Sequence, residues 1–183
     1  MNYLTSMGNI LAFNTIGLQK GMDIKRLQYY AILNVLILGI IYGCSAALFS
    51  QSILMEKGFE ATAYNPLKII VAGIPVAFFM HAGAALFIWV FLKAIGGKAN
   101  FLMSYFNIGM AAISLWLVAP FAAALQIGAA SPVITLLTGI FSLYAFAVNV
   151  KVIKAAFQLS NLKMTIATSV TLMYISCFLY LWV

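Results

Sequence analysis

The chain contains one histidine, His81, which lies inside an unbroken apolar run, FFMHAGAALFIWVFL, at residues 78–92. A polar group in hydrocarbon costs several kcal/mol unless it is paired, so we expect His81 to face other helices and to form a hydrogen bond. The polar groups at its depth, counted from the helix ends predicted below, are Tyr42, Ser114, Ser142 and Tyr174. Ionisable groups at such depth are candidates for function. These residues either line a polar path through the membrane or form hydrogen bonds that hold the helices together, and the sequence favours the structural role.

A second polar set consists of Asn34, Asn107 and Asn149, each about one to two turns inside the cytoplasmic end of an apolar segment. Together these side chains could line a small cavity that opens to the cytoplasm. Asparagine also bridges helices for purely structural reasons, and this interpretation is preferred. Cys44 and Cys177 fall at similar depths, which would allow a disulfide or a soft-metal pair, but packing is the favoured role.

Catalytic patterns are missing from the sequence. It contains no HExxH, no phosphate-binding loop and no spacing of nucleophile, base and acid, so we expect no enzyme, no cofactor and no metal site. Asp23, Glu56 and Glu60 all lie outside the predicted spans, whereas a proton- or sodium-coupled transporter normally keeps a carboxylate near mid-membrane.

Composition indicates which elements must position these residues. Of the 183 residues, 65% are hydrophobic and 7% are charged. A soluble domain carries about 25% charged residues, because its surface faces water. The chain is therefore predicted to be an all-α, polytopic membrane protein. Its net charge of +7 is interpreted as a topology signal and a source of lipid contacts, and nucleic acid is not expected as a partner.

Five segments are apolar and long enough to cross a bilayer, which takes about 20 residues. They are residues 29–50, 69–92, 101–127, 133–150 and 164–183. The fold prediction is a five-helix transmembrane bundle, residues 29–183, after an N-terminal segment, residues 1–28.

The N-terminal segment is predicted to form an amphipathic helix in the membrane interface. Its apolar residues fall roughly on one helical face, and Asn2, Ser6 and Asn9 fall elsewhere. The apolar face consists of Leu4, Met7, Leu11 and Leu18. A frayed polar tail is the alternative.

Basic residues concentrate on one side of the predicted bundle. They are Lys20, Lys25, Arg26, Lys93, Lys98, Lys151, Lys154 and Lys163. Because positively charged loops stay cytoplasmic, the N-terminus is predicted inside and the C-terminus outside, which means the inner membrane in a prokaryote. This face could bind anionic lipid or an acidic protein, although topology determination alone explains each lysine.

Glycines are predicted to shape the turns and the helix contacts. Gly96 and Gly97 end the second span, and Asn100 caps the third. In the GAASP turn, Ser131 is the expected cap and Pro132 the first helical residue. Close packing is expected at Gly39, Gly43 and Ala47, which form a small-residue stripe compatible with a homo-oligomer.

Residues 80–120, MHAGAALFIWVFLKAIGGKANFLMSYFNIGMAAISLWLVAP, resemble the YIP family, five-helix membrane proteins named for their interaction with Ypt/Rab GTPases. The similarity rests on the positions Gly96, Gly97, Lys98, Phe101, Gly109 and Pro120. The basic stretch VKVIKAAFQLSNLKMTIA, residues 150–167, also resembles the family. The chain lacks the long N-terminal region and the DLYGP-type motif of eukaryotic members, so it resembles the small prokaryotic type. GTPase binding is not carried over.

These observations favour a non-enzymatic membrane protein of YIP type that organises membrane or recruits a cytoplasmic or membrane protein. It would act through helix packing and its basic face. The alternative is a small transporter or channel with a polar path around His81.

Overall fold

The computed structural model describes residues 2–15, 23–56 and 65–169, and within these ranges it contains helices and no strand. Helices satisfy their own backbone hydrogen bonds, which an apolar chain in hydrocarbon requires. The elements are α1 (Tyr3–Leu11), α2 (Ile24–Glu56), α3 (Pro66–Ala94), α4 (Phe101–Ala111), a 3₁₀ segment (Ala112–Trp116), α5 (Ala119–Ile127), α6 (Pro132–Phe157) and α7 (residues 161–169).

Polar caps define where the long helices begin. The Asn100 side chain accepts a 2.8 Å hydrogen bond from the Met103 N–H at the start of α4. The Ser131 hydroxyl accepts a 3.2 Å bond from the Ile134 N–H at the start of α6. Both caps were predicted from the sequence and are confirmed. After α3, Gly96 adopts φ +89°, a conformation that glycine takes without strain, and the chain reverses there.

Three helices in the described part of the chain are long and apolar enough to cross a membrane: α2, α3 and α6. Residues 101–127 qualify only as a pair of helices bent by 71°, which gives up to four spans if the pair is one span. The five-helix prediction is thus not confirmed. Its third span is not a continuous helix, and most of its fifth, residues 170–183, lies outside the described residues.

The bend in the third predicted span has a local cause at Pro120. Proline has no N–H to donate to the carbonyl of Trp116, and its ring clashes with that carbonyl in a continuous helix. The backbone tightens into the 3₁₀ segment ahead of it and resumes α-helix at Ala119. The sequence analysis treated residues 101–127 as one span with Pro120 late in it; Pro120 does lie in the second half, but the segment is broken at residues 112–118 and is not one continuous helix.

The two helices of the bent pair, α4 and α5, pack against successive positions along α2. Gly109 packs on Ala31, since a Cβ at Gly109 would lie 2.8 Å from the Ala31 Cβ. Farther along, the Tyr42 hydroxyl donates a hydrogen bond to the side-chain oxygen of Gln126. From residue 109 to residue 126 the partner on α2 therefore moves from 31 to 42. This progression favours one bent span over a re-entrant loop.

The helix α6 runs back past the bent pair in the opposite direction. The rings of Phe121 and Phe141 stack at 5.4 Å between centroids. At the other end, the Lys98 N–H donates a 3.2 Å hydrogen bond to the Phe157 carbonyl. The turn after α3 and the turn after α6 consequently lie side by side at one end of the bundle.

Glycines bring α2 and α3 into backbone contact. A Cβ at Gly43 would lie 2.7 Å from the Ile70 carbonyl oxygen, and one at Gly73 would lie 2.6 Å from that of Gly39. Gly39 and Gly43 are buried, and Ala47 is 4% exposed. In lipid, where apolar burial gains little, such close backbone approach supplies the packing between helices.

The N-terminal helix α1 packs into the bundle. Met7 and Ile10 are 3% and 1% exposed and join a cluster with Phe106 and Val152 of α4 and α6. The side facing the bundle includes Ser6, 1% exposed, which the sequence pattern had placed away from the apolar face. Leu4 is 77% exposed on the other side, and Leu18 lies outside the described residues.

Candidate functional site: intramembrane polar groups and a basic end

Asn34 is the most connected polar side chain among the candidates. It is 0% exposed, and its Oδ1 accepts a 2.6 Å hydrogen bond from the Tyr3 hydroxyl. Its Nδ2 lies 3.1 Å from the Met110 carbonyl and 3.3 Å from the Gly109 carbonyl, both of which accept from it. Its own backbone carbonyl accepts from the Trp116 indole at 3.0 Å. Asn34 thereby joins α1, α2, α4 and the 3₁₀ segment.

The carbonyls that Asn34 binds lie directly before the bend. When an α-helix tightens into a 3₁₀ helix, the carbonyl groups change partners and the hydrogen-bond geometry becomes poorer. The Asn34 amide supplies an additional donor there, so the irregular backbone is satisfied by protein. Irregular backbone at membrane depth is tolerated only where it is buried in this way or lines a water-filled cavity.

Ser114 and Asn149 form a second link at the bend. The Ser114 hydroxyl donates a 2.7 Å bond to the Ala111 carbonyl. The Asn149 Nδ2 lies 3.4 Å from the Ser114 hydroxyl oxygen and 2.8 Å from the Ala145 carbonyl in its own helix. Within the described residues Asn107, by contrast, donates inside α4 alone, to the Met103 carbonyl at 2.7 Å. The structure thus gathers Asn34, Ser114 and Asn149 around the bend and leaves Asn107 outside this network.

His81 faces a neighbouring helix, as expected, but its partner is not one of the four predicted groups. It is 7% exposed, and its Nε2 lies 3.1 Å from the Tyr105 carbonyl oxygen. Because a carbonyl can only accept, Nε2 is the donor. The two rings also meet edge to face at 4.5 Å between centroids. Tyr105 is the residue that sequence reasoning missed.

The predicted partners of His81 were wrong because their depths were counted as if α4 began at the same membrane depth at which α3 ends. Residues 97–100 have no regular secondary structure and run back beside α3, where the Trp89 indole donates to the Ala99 carbonyl at 3.3 Å. The helix α4 therefore begins deeper, which moves Tyr105 to the level of His81.

The other proposed partners of His81 lie elsewhere. Tyr42 bonds Gln126 toward the opposite end of the bundle, and Ser142 is exposed on the surface of α6. Tyr174 lies outside the described residues. Cys44 is half-buried and forms no disulfide within the described residues, and Cys177 lies outside them, so the cysteine pair stays a prediction.

Lysines from separate segments converge beside the two adjoining turns. The Lys98 backbone is bonded to Phe157 at the end of α6. The Lys154 ammonium donates to the side-chain oxygen of Asn161. The Lys163 ammonium lies against the backbone of Gly96, since a Cβ there would be 2.7 Å from its nitrogen. We refer to Lys98, Lys154 and Lys163 as the lysine junction.

Further basic residues surround the lysine junction. Lys93 occupies the last turn of α3, and Lys151 is exposed on α6. Lys25 and Arg26 lie in the first turn of α2 at the same end, and Lys20 is outside the described residues. The sequence contains no aspartate or glutamate after Glu60, so Asp23 is the one carboxylate at this end in the described part of the chain.

Comparisons with protein-family models, with curated proteins and with solved structures find no match to this chain. The resemblance to the YIP family remains a prediction that rests on residues 80–120 and 150–167.

Proposed function

We propose that the protein is a non-enzymatic integral membrane protein of YIP type that organises membrane or recruits partners through helix packing and a basic cytoplasmic face. One observation carries the proposal, namely the convergence of lysines from the turn after α3, from α6 and from α7 at two turns joined by the Lys98–Phe157 hydrogen bond. Cations that far outnumber the carboxylates around them attract anionic surfaces. By the positive-inside rule this end, with the N-terminus, faces the cytoplasm.

The intramembrane polar groups support a structural role for the bundle interior. In the described part of the chain, every buried side-chain nitrogen and oxygen has a hydrogen-bond partner in the protein. His81, Asn34 and Ser114 each bond a backbone carbonyl. A satisfied network of this kind rigidifies a bundle and needs no ligand to complete it.

The experiment neutralises the face while leaving the fold intact. The variant Lys93→Gln, Lys98→Gln, Lys151→Gln, Lys154→Gln is reconstituted in nanodiscs, and its capture of anionic acceptor vesicles is measured by flotation. We expect capture to fall at least about tenfold, because each lysine near a charged surface contributes about 1 kcal/mol. Lys68→Gln at the opposite end is the control. Unchanged capture with unchanged topology would remove the recruiting role.

The bend favours a second candidate, a small transporter or channel. In several transporter folds a helix broken by glycine or proline near mid-membrane forms the substrate site. Here Gly109 and Pro120 flank the 3₁₀ segment, with Ser114 at its centre. This function predicts flux that is lost in His81→Leu, whereas the membrane-organising function predicts no flux in either protein.

A further inference from the structure

The lysines at the two adjoining turns are not needed to cap the helices that end there. The Gly97 N–H donates to the Leu92 carbonyl at 2.8 Å, and the Gly96 N–H to the Lys93 carbonyl at 3.0 Å. At the end of α6, the Leu159 N–H donates to the Lys154 carbonyl at 3.2 Å. Backbone donors therefore bind the Leu92 and Lys93 carbonyls of α3 and the Lys154 carbonyl of α6, so these bonds leave the lysine ammonium groups available for another partner.

The charges of the lysine junction have no internal counter-charge close in sequence. Every lysine after Glu60 lies in a stretch without a carboxylate. Lys154 donates to the neutral Asn161 amide oxygen, and Lys163 and Lys98 are exposed. An ammonium group has three donors, so each retains donors for an external anion. The C-termini of α3 and α6 both lie at the lysine junction. Each carries a partial negative charge of only about half a unit, which is too little to neutralise three lysines.

Side chains around the lysine junction indicate which anion reaches it. The Trp89 indole, which bonds Ala99 next to Lys98, meets the Phe101 ring edge to face at 5.7 Å. Aromatic residues of this kind mark the headgroup level of a bilayer. Leu102, Leu162 and Ile166 are 54%, 71% and 48% exposed on α4 and α7, beside the lysines. Such apolar exposure suits acyl chains and not a water-soluble acidic protein.

We propose that the lysine junction binds the headgroup phosphate of an anionic phospholipid in the cytoplasmic leaflet. Lys98, Lys154 and Lys163 contact the phosphate, and the exposed apolar side chains of α4 and α7 contact the acyl chains. This site rests on the proposed function and deepens it, since it places one specific lipid contact within the basic face.

The experiment compares two charge-matched double variants of the full chain in nanodiscs. Lys98→Gln with Lys163→Gln removes two members of the lysine junction, and Lys25→Gln with Lys151→Gln removes two cations from the same face outside it. Native mass spectrometry measures retention of phosphatidylglycerol against phosphatidylcholine. We expect the junction variant to lose at least about tenfold in phosphatidylglycerol affinity relative to the control variant, since it removes two charge-assisted hydrogen-bond donors to the phosphate.

The other outcomes distinguish failure of the lipid site at the lysine junction from failure of the proposed function of the whole basic face. Equal losses in both variants would overturn the site and leave the proposed function standing, because the face would then act diffusely. No loss in either would overturn both. If inorganic phosphate at equal concentration displaced the lipid, the site would bind free phosphate, and the proposal of a phospholipid ligand would be wrong. Lys98→Arg with Lys163→Arg retains the charges and should retain the lipid; loss in that variant would contradict the proposal even if the glutamine variant failed to fold.

Discussion

The Tyr3 hydroxyl donates a 2.6 Å hydrogen bond to the Asn34 side-chain oxygen, which ties the N-terminal helix to the helix that follows it. Burial raises the pKa of the Tyr3 hydroxyl, so that group keeps its proton and remains a donor across the neutral pH range. The same asparagine holds the Gly109 and Met110 carbonyls ahead of the bend. One side chain therefore couples the docking of α1 to the geometry of the broken span.

Replacing Asn34 by alanine should destabilise the bundle more than the same change at Asn107. The Asn34 side chain bonds two other helices, α1 and α4, whereas within the described residues the Asn107 side chain bonds its own helix alone. We expect a loss of about 1–2 kcal/mol for Asn34→Ala, since interhelical hydrogen bonds in membranes average about 0.6 kcal/mol each. The measurement is the apparent melting temperature in detergent. Equal shifts for the two variants would contradict the role of Asn34 at the bend.

Adding one methyl group at Gly43 should weaken the contact between α2 and α3. The new Cβ would meet the Ile70 backbone at 2.7 Å, and backbone atoms cannot give way as a flexible side chain can. We expect Gly43→Ala to cost about 1–3 kcal/mol, the usual range for overpacking. Gly83→Ala in α3 is the matched control, because a Cβ there meets nothing within 4 Å. A control that destabilises as much as Gly43→Ala would show that helix contact is not the cause.

His81→Leu should lower stability slightly and leave membrane permeability unchanged. The variant loses the hydrogen bond to the Tyr105 carbonyl, worth about 0.6 kcal/mol in a membrane helix pair. Thermal unfolding in detergent and dye or ion flux in proteoliposomes are measured on the same preparations. Flux that is present in the wild-type protein and absent in His81→Leu would instead support the transporter.

Tyr144→Phe should loosen the C-terminal end of α1. The Tyr144 hydroxyl donates a 2.7 Å bond to the Leu11 carbonyl, the last residue of that helix. Hydrogen exchange of the amides in residues 3–11 should accelerate in the variant, while Tyr29→Phe, at a position 64% exposed, should have no effect. Unchanged exchange in Tyr144→Phe would mean that the Tyr3–Asn34 hydrogen bond and the burial of Met7 and Ile10 hold α1 without the Tyr144 bond.

Local chemistry made some features of the fold predictable from sequence. Asn100 and Ser131 precede apolar runs, and a polar cap there follows from the unsatisfied N–H groups of any helix start. The turn at Gly96 was predictable in the same way, since its φ of +89° suits glycine. These signals need only a few neighbouring residues, so a linear pattern contains them.

Features that depend on contacts between distant residues could not be predicted in the same way. The partner of His81 depends on how far residues 97–100 fold back along α3. The hydropathy of the sequence does not indicate that distance. The hydrogen bonds of Asn34 require Tyr3, more than thirty residues away in the sequence, to pack beside it. Pro120 did signal the bend, because a proline inside a span removes a backbone donor, and reading it as a break would have found the 3₁₀ segment.

The central claim is that residues 101–127 cross the bilayer once despite the bend, so that the lysine junction and the turn at residues 128–131 lie on opposite sides. The test introduces Lys98→Cys or Ala130→Cys in a background with Cys44 and Cys177 replaced by serine, and labels sealed vesicles with a membrane-impermeant maleimide. We predict labelling of Ala130→Cys from outside and of Lys98→Cys only from the cytoplasmic face. Labelling of both positions from the same face would make the bent pair a re-entrant loop and contradict the account.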